Sequence, residues 1–134
     1  MTEARTLSHL AKAQANRTYA VEVLDDEDAS QAALNWAGVA AFYAAMHYVN
    51  AYLWETARLE PANHLDREAI IGNWPALAPL SQAFRALFTY SIDIRYAPQF
   101  QLRRADLRRM IERDLARIAR TVEHELRESE SNQA

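Results

Sequence analysis

Arginine and histidine carry most of the chemistry that this sequence could support, because its 134 residues include no cysteine. Five residues separate Arg58 from His64. An arginine that holds a phosphate and a histidine that moves a proton suit metal-independent RNA cleavage, in which the ribose hydroxyl attacks the adjacent phosphate. Asn63, Asp66 and Arg67 lie in the same predicted loop, and helix capping with turn formation explains these residues as well.

A second polar group lies within the most apolar stretch of the chain. Tyr43, His47 and Asn50 follow one another at four- and three-residue steps, which places them on one face of a helix. Buried polar side chains need hydrogen-bond partners. They therefore line a ligand pocket or form a satisfied internal network, and we favour the network because a lone histidine on a core face is usually structural.

The C-terminal third of the chain is basic, although the whole chain carries a net charge of −3. Residues 1–94 carry net −5, whereas residues 95–127 carry nine arginines against five acids, net +4. Its arginines begin with the Arg95-Tyr96 pair and continue through Arg103, Arg104, Arg108, Arg109, Arg113, Arg117 and Arg120. Four of these arginines, at positions 109, 113, 117 and 120, form one ridge along the predicted last helix. This ridge is suited to an anionic partner, but the interleaved Asp106, Glu112 and Asp114 are equally typical of a solvent-exposed helix face with salt bridges.

Spacing excludes several common kinds of site. Two glycines are too few for a dinucleotide-binding loop, and neither flanks a serine as a nucleophile elbow requires. None of the eleven glutamates has a histidine three residues later, which is the spacing of a di-iron bundle. The four histidines lie on separate segments of the chain. We therefore expect no metal site and no cofactor.

Apolar residues recur at helical spacing and predict an all-α fold. The first helix should span about residues 3–24. Asp28 and Gln31 have the spacing of a capping box for the next helix. That second helix, over about residues 29–59, is apolar nearly all round from Trp36 onward, so it should lie buried in the middle of a bundle.

Prolines and polar loops divide the rest of the chain into further helices. A short helix near residues 67–73, capped by Asn63 or Asp66, precedes helices over about residues 80–95 and 103–127. Four long helices and one short helix joined by short connections predict an up-and-down bundle. The chain should therefore form a single domain.

The domain should cover residues 1–127, and the polar residues 128–134 should form a disordered tail. Residues 29–54 carry no charge and are long enough to span a bilayer. They contain several polar side chains and lack a basic flank, which favours a buried helix. Because the N-terminus shows no signal pattern, we expect a cytoplasmic protein that does not associate with membranes.

Three pieces of the sequence together resemble one known family. They are the run WAGVAAFYAAMHYVNAYL at residues 36–53, the His64–Arg67 loop and the run LFTYSIDIRY at residues 87–96. Over about residues 7–120 the chain is similar to the HEPN domains (higher eukaryotes and prokaryotes nucleotide-binding). The resemblance implies an up-and-down bundle of four to five helices that is often a homodimer.

The resemblance also implies a class of function. Many HEPN domains are metal-independent endoribonucleases of toxin–antitoxin, phage-defence or CRISPR systems, in which a histidine follows an arginine after four to six residues. Arg95 occupies the matching position, but no histidine follows it. The chain is thus most similar to members that bind nucleotides or proteins and are frequently encoded beside a small nucleotidyltransferase.

We therefore expect a non-nuclease HEPN-like binding or accessory module in a prokaryotic defence or toxin–antitoxin context. Its partners would be a second copy of the chain, a nucleotidyltransferase-type or other protein, and RNA or a nucleotide. One alternative is a metal-independent endoribonuclease that uses His64, Arg58 or Arg95 in a non-standard arrangement, and another is a purely structural dimerisation domain. The expected ligand-binding residues are Arg95, Tyr96, Arg103, Arg104, Arg67, His47 and Asn50.

Overall fold

The computed structural model describes residues 2–133, and within this range the chain forms helices, turns and loops without a strand. The all-α prediction is therefore confirmed. The helices are α1 (Ala4–Asp25), α2 (Gln31–Ala57), α3 (His64–Asn73) and α4 (Ser81–Tyr96), the last preceded by a 3-10 turn (Ala78–Leu80). A last helix comprises α5 (Arg104–Arg109), a π-helical turn (Met110–Leu115) and α6 (Ala116–Gln133) without interruption.

Helix α2 lies at the centre of the bundle, as its apolar surface predicts. Helices α1, α4 and α6 all pack against it, and Phe42 and Tyr48 are among its fully buried side chains. Trp36 was expected on the buried surface, and that prediction is wrong because its side chain is 60% exposed. Neither α2 nor another helix within residues 2–133 has the length and hydropathy needed to cross a bilayer.

Ser30 determines where α2 begins. Its hydroxyl accepts a hydrogen bond from the backbone N–H of Ala33 at 3.1 Å, so it is the N-cap. The predicted capping box of Asp28 and Gln31 is therefore wrong. Gln31 instead donates to the carbonyl oxygen of Leu102 at 2.9 Å and ties α2 to the segment before the last helix.

Asn63 caps α3, one of the two caps that the sequence allowed. Its side-chain oxygen accepts a hydrogen bond from the backbone N–H of Asp66 at 2.9 Å. Because this cap lies directly before His64, α3 begins three residues earlier than predicted. The consequence is that His64 and Arg67 stand one helical turn apart on the same helix.

The last helix is longer than the sequence predicts. It continues through Gln133, so a disordered tail is wrong for residues 128–133, while Ala134 lies outside the described residues. Residues 128–133 contain neither proline nor glycine, and the end of the helix lies beside the start of the chain. There the Thr2 hydroxyl donates to the carboxylate of Glu130 at 2.5 Å.

Candidate functional site

Arg67 is the centre of a buried polar group between α2 and α3. The residue is only 5% exposed. Its Nε donates to Asn50 Oδ1 at 3.2 Å, and its Nη1 lies 3.0 Å from His64 Nδ1. Asn50 and Arg67, both expected to bind a ligand, are therefore engaged with each other inside the protein, and Arg67 orients the His64 ring.

The contact with Arg67 also determines which ring nitrogen of His64 carries the proton. An arginine only donates hydrogen bonds, so His64 accepts at Nδ1 and, when neutral, carries its proton on Nε2. Burial lowers the pKa of His64, and the charges of Arg67 and Arg95 lower it further. The ring packs against Phe42 and Phe88, with centroid distances of 5.2 and 4.7 Å. At neutral pH His64 is thus an uncharged side chain with an N–H to donate.

Arg95 lies in the last turn of α4 and makes no ion pair with any residue of the described range. Its Nε donates to the carbonyl oxygen of Ser91 at 3.2 Å. The guanidinium carbon lies 5.9 Å from the ring centre of Tyr43 and 5.2 Å from that of Tyr96. Its two terminal nitrogens remain as donors for an anion.

Arg95 and His64 pack against neighbouring residues of α2, since Arg95 lies over the ring of Tyr43 and the His64 ring packs against Phe42. The charge of Arg95 lowers the pKa of His64. We call the set formed by Tyr43, Asn50, His64, Arg67 and Arg95 the arginine–histidine cluster. Three helices form it: Tyr43 and Asn50 belong to α2, His64 and Arg67 to α3, and Arg95 to α4. Tyr43 was missing from the expected ligand-binding residues, although its helical spacing to Asn50 is a signal for it.

Arg58, the other candidate partner of His64, lies elsewhere and makes no contact with it in the structure. It ends α2 in a left-handed backbone conformation with φ of 54°. Its Nη1 donates to the carbonyl oxygen of Trp54 at 2.7 Å, and its Nη2 donates to the carboxylate of Glu3 at 3.2 Å. The Arg58 and His64 pair, which the sequence spacing suggested as catalytic, is therefore not formed.

His47 pairs with a residue that sequence reasoning missed. Its Nδ1 lies 3.0 Å from Nδ1 of His9, and Nε2 of His9 lies 3.4 Å from a carboxylate oxygen of Glu60. Burial, followed by the positive charges of His9, Lys12 and Arg67, lowers the pKa of His47 to about 4. His47 is thus a neutral member of a histidine pair between α1 and α2. No spacing within the sequence reveals such a pair, because it depends on how the two helices pack.

Arg103 and Arg104, expected beside Arg95 as ligand-binding residues, have intramolecular partners. The Nε of Arg103 donates to Asp106 at 3.1 Å. Arg104 donates to the carbonyl oxygens of Leu24 at 2.5 Å and Asp26 at 2.8 Å, and so it caps the C-terminal end of α1. Among these three arginines, Arg95 is the one whose two terminal nitrogens both make no hydrogen bond to the described part of the chain.

The ridge of the last helix is partly salt-bridged. Arg109 bonds to Asp106, and the Nε of Arg113 donates to Asp114 at 3.1 Å. Arg108 and Glu112 form an i,i+4 pair at 3.5 Å. The alternative of a solvated face of salt bridges therefore describes the first half of this helix. Arg117 and Arg120 are exposed and have no ion pair within residues 2–133.

No three imidazole or carboxylate groups among the described residues come close enough to hold a metal ion. No family model, no curated protein and no solved structure matches this chain. The function has to be inferred from the chain's own side chains.

Proposed function

We propose that the chain is a binding module for a phosphate-bearing ligand, RNA or a nucleotide, and that Arg95 is its anion-binding residue. This proposal rests on one observation: the half-buried side chain of Arg95 forms no ion pair with a carboxylate of residues 2–133. A planar guanidinium with two unused terminal nitrogens can donate hydrogen bonds to two oxygens of one phosphate. His64 adds a neutral N–H donor to the same cluster.

In this proposal the chain is a HEPN-like module with up-and-down topology that works as a homodimer in a prokaryotic defence or toxin–antitoxin context. The sequence resemblance supports this assignment. A bundle of five helices, with Arg95 and Tyr96 ending the fourth, is compatible with it. A nucleotidyltransferase-type or other protein is its proposed partner.

The state of His64 favours binding over catalysis. A general base needs a lone pair that faces the proton to be removed, but the Nδ1 lone pair of His64 accepts from Arg67. A general acid needs a proton to give, and the lowered pKa of His64 leaves the ring without the second proton at neutral pH. The cluster therefore holds a phosphate without a group poised to cleave its ester.

Binding of a ten-nucleotide single-stranded RNA by purified protein at pH 7 and low salt tests the proposal. Arg95→Gln should weaken binding by roughly 10- to 100-fold, because charged hydrogen bonds of roughly 1.5–3 kcal/mol are lost. Arg85→Gln is the matched control, since Arg85 is an exposed residue of the same helix paired with Glu68. Equal losses in both variants would show that Arg95 is not the anion-binding residue. No binding by the wild type would leave the purely structural dimerisation domain as the better account.

A metal-independent endoribonuclease is the second candidate, favoured by the packing of His64 and Arg95 against the neighbouring α2 residues Phe42 and Tyr43. Incubation of total RNA with the protein in EDTA separates the two functions. We expect no cleavage by the wild type. Cleavage that disappears in both His64→Ala and Arg95→Gln, but persists in Arg58→Gln, would establish the enzyme instead.

A further inference from the structure

A pocket of about 230 Å³ lies on the α2 side of Arg95. Its lining residues are Ala32, Asn35, Trp36, Ile94 and Arg95. The N-terminal turns of α2 supply one wall, and the last turn of α4 supplies the other. The guanidinium of Arg95 thus belongs both to the arginine–histidine cluster and to this pocket.

Trp36 gives the pocket a large aromatic surface. Its side chain is 60% exposed, although it lies on the helix that the rest of the bundle buries. An exposed indole beside a cation offers a face on which a planar ring can stack. Tyr43 stands two turns further along α2, which places the two aromatic side chains on the same face with Arg95 near both.

Asn35 adds a hydrogen-bond donor with a fixed orientation. Its Oδ1 accepts from the backbone N–H of Leu102 at 3.0 Å and from Nε2 of Gln31 at 2.9 Å. These two bonds determine which end of the amide is the oxygen. The Nδ2 group makes no hydrogen bond to the described part of the chain and is available to an acceptor in the pocket.

We infer that this pocket binds the base of a nucleotide whose phosphate is held by Arg95. The base stacks on Trp36, and Asn35 donates to a ring nitrogen or carbonyl of the base. This inference rests on the proposed function, because it adds a base subsite to the same anion-binding residue. It predicts that a ligand needs both an aromatic ring and a phosphate for full affinity.

Calorimetric titration with AMP, ribose 5-phosphate and adenosine tests the inference. The wild type should bind AMP on the order of tenfold or more tightly than ribose 5-phosphate, because stacking of a base contributes about that factor. Trp36→Leu should weaken AMP binding by a similar factor and leave ribose 5-phosphate binding unchanged. Tyr19→Leu is the control, since Tyr19 is an exposed aromatic residue of α1 outside the pocket.

A second readout uses tryptophan fluorescence, because the chain has three tryptophans and only Trp36 lines this pocket. AMP should quench the emission of the wild type, and Trp36→Leu should abolish the quenching. The same titrations with a ten-nucleotide oligoadenylate distinguish a free nucleotide from a nucleotide unit within RNA as the preferred source of the base.

The outcomes separate the two proposals. If AMP and ribose 5-phosphate bind equally, require Arg95 and ignore Trp36→Leu, the base subsite is wrong and the anion-binding function stands. If no phosphate ligand binds, or Arg95→Gln binds as the wild type does, the proposed function itself is wrong. If Trp36→Leu converts a dimer into a monomer by sedimentation without changing AMP affinity, the indole covers a second copy and the base subsite is overturned.

Discussion

Arg67 connects α3 to α2 and contacts His64 within its own helix. It is a buried guanidinium whose hydrogen-bond partners are an amide and an imidazole, with no carboxylate paired to it within residues 2–133. A buried positive charge of this kind is costly. Burial lowers the pKa of both His47 and His64, and the charge of Arg67 lowers each further, so both rings are uncharged at neutral pH.

The pair of His47 and His9 predicts a loss of stability in mild acid. The unfolded chain protonates His47 near pH 6.5, whereas the folded protein resists protonation until about pH 4. Between these values the unfolded state binds more protons, so the free energy of unfolding falls as the pH falls. Because the ring is only partly buried, we expect a contribution on the order of 1 kcal/mol.

Urea denaturation at pH 7.0 and pH 4.5 measures this contribution. His47→Gln should lose less stability between the two pH values than the wild type does. His124→Gln should behave as the wild type, because His124 is an exposed residue of the last helix. A His47→Gln variant with the full acid sensitivity of the wild type would show that other groups cause it.

Among the elements, α2 shows what a sequence can and cannot predict. Its length and central position follow from its own apolar residues, which cover nearly its whole circumference. Its first residue does not, because Asp28 and Ser30 are both good caps and only the folded backbone shows that Ser30 reaches Ala33. The exposure of Trp36 also could not be predicted, since it depends on where α4 ends.

Gly38 allows the close approach of α4 to α2 and so positions the end of α4. A Cβ at Gly38 would lie 2.6 Å from Cδ1 of Ile94 and 2.7 Å from Cδ2 of Leu102. Ile94 precedes Arg95 and lines the same pocket. The absence of a side chain at this one position therefore helps the last turn of α4, which carries Arg95, to pack against α2.

Gly38→Ala should destabilise the protein by about 1 kcal/mol, because overpacking costs of roughly 1–3 kcal/mol exceed a gain in helix propensity of about 1 kcal/mol. Gly72→Ala is the control, because nothing lies within 4 Å of its added Cβ in α3. That variant should be stabilised by up to about 1 kcal/mol. Urea denaturation checks both values, and equal stabilisation of the two variants would contradict the close approach at Gly38.

For the whole molecule, the charge division along the sequence differs from the basic surface that the folded chain presents. The charge division near residue 95 suggested that Arg103 and Arg104 extend an anion-binding surface. In the folded chain Arg103 meets Asp106, and Arg104 meets the carbonyl oxygens at the end of α1. The acceptors of Arg104 become available only when distant segments pack, whereas Asp106 lies one helical turn from Arg103. A linear count of charges therefore overestimates the basic surface.

The consequence is a weak dependence of RNA binding on salt. If Arg95 makes the main phosphate contact, the protein should contact only one or two phosphates of a ten-nucleotide single strand. The slope of log K against log salt should then be about −0.7 to −1.4. Arg95→Gln should reduce the magnitude of this slope by about 0.7, because one phosphate contact is lost.

The last helix provides the matched test, because Arg117 and Arg120 are exposed and lack an ion pair within residues 2–133. The double variant Arg117→Gln/Arg120→Gln should keep the wild-type slope if the ligand sits at Arg95. A wild-type slope of about −3 or steeper that flattens in this double variant would mean that RNA lies along the last helix. The salt titration therefore distinguishes a compact nucleotide site at the end of α4 from an extended basic surface, two arrangements that total charge alone does not separate.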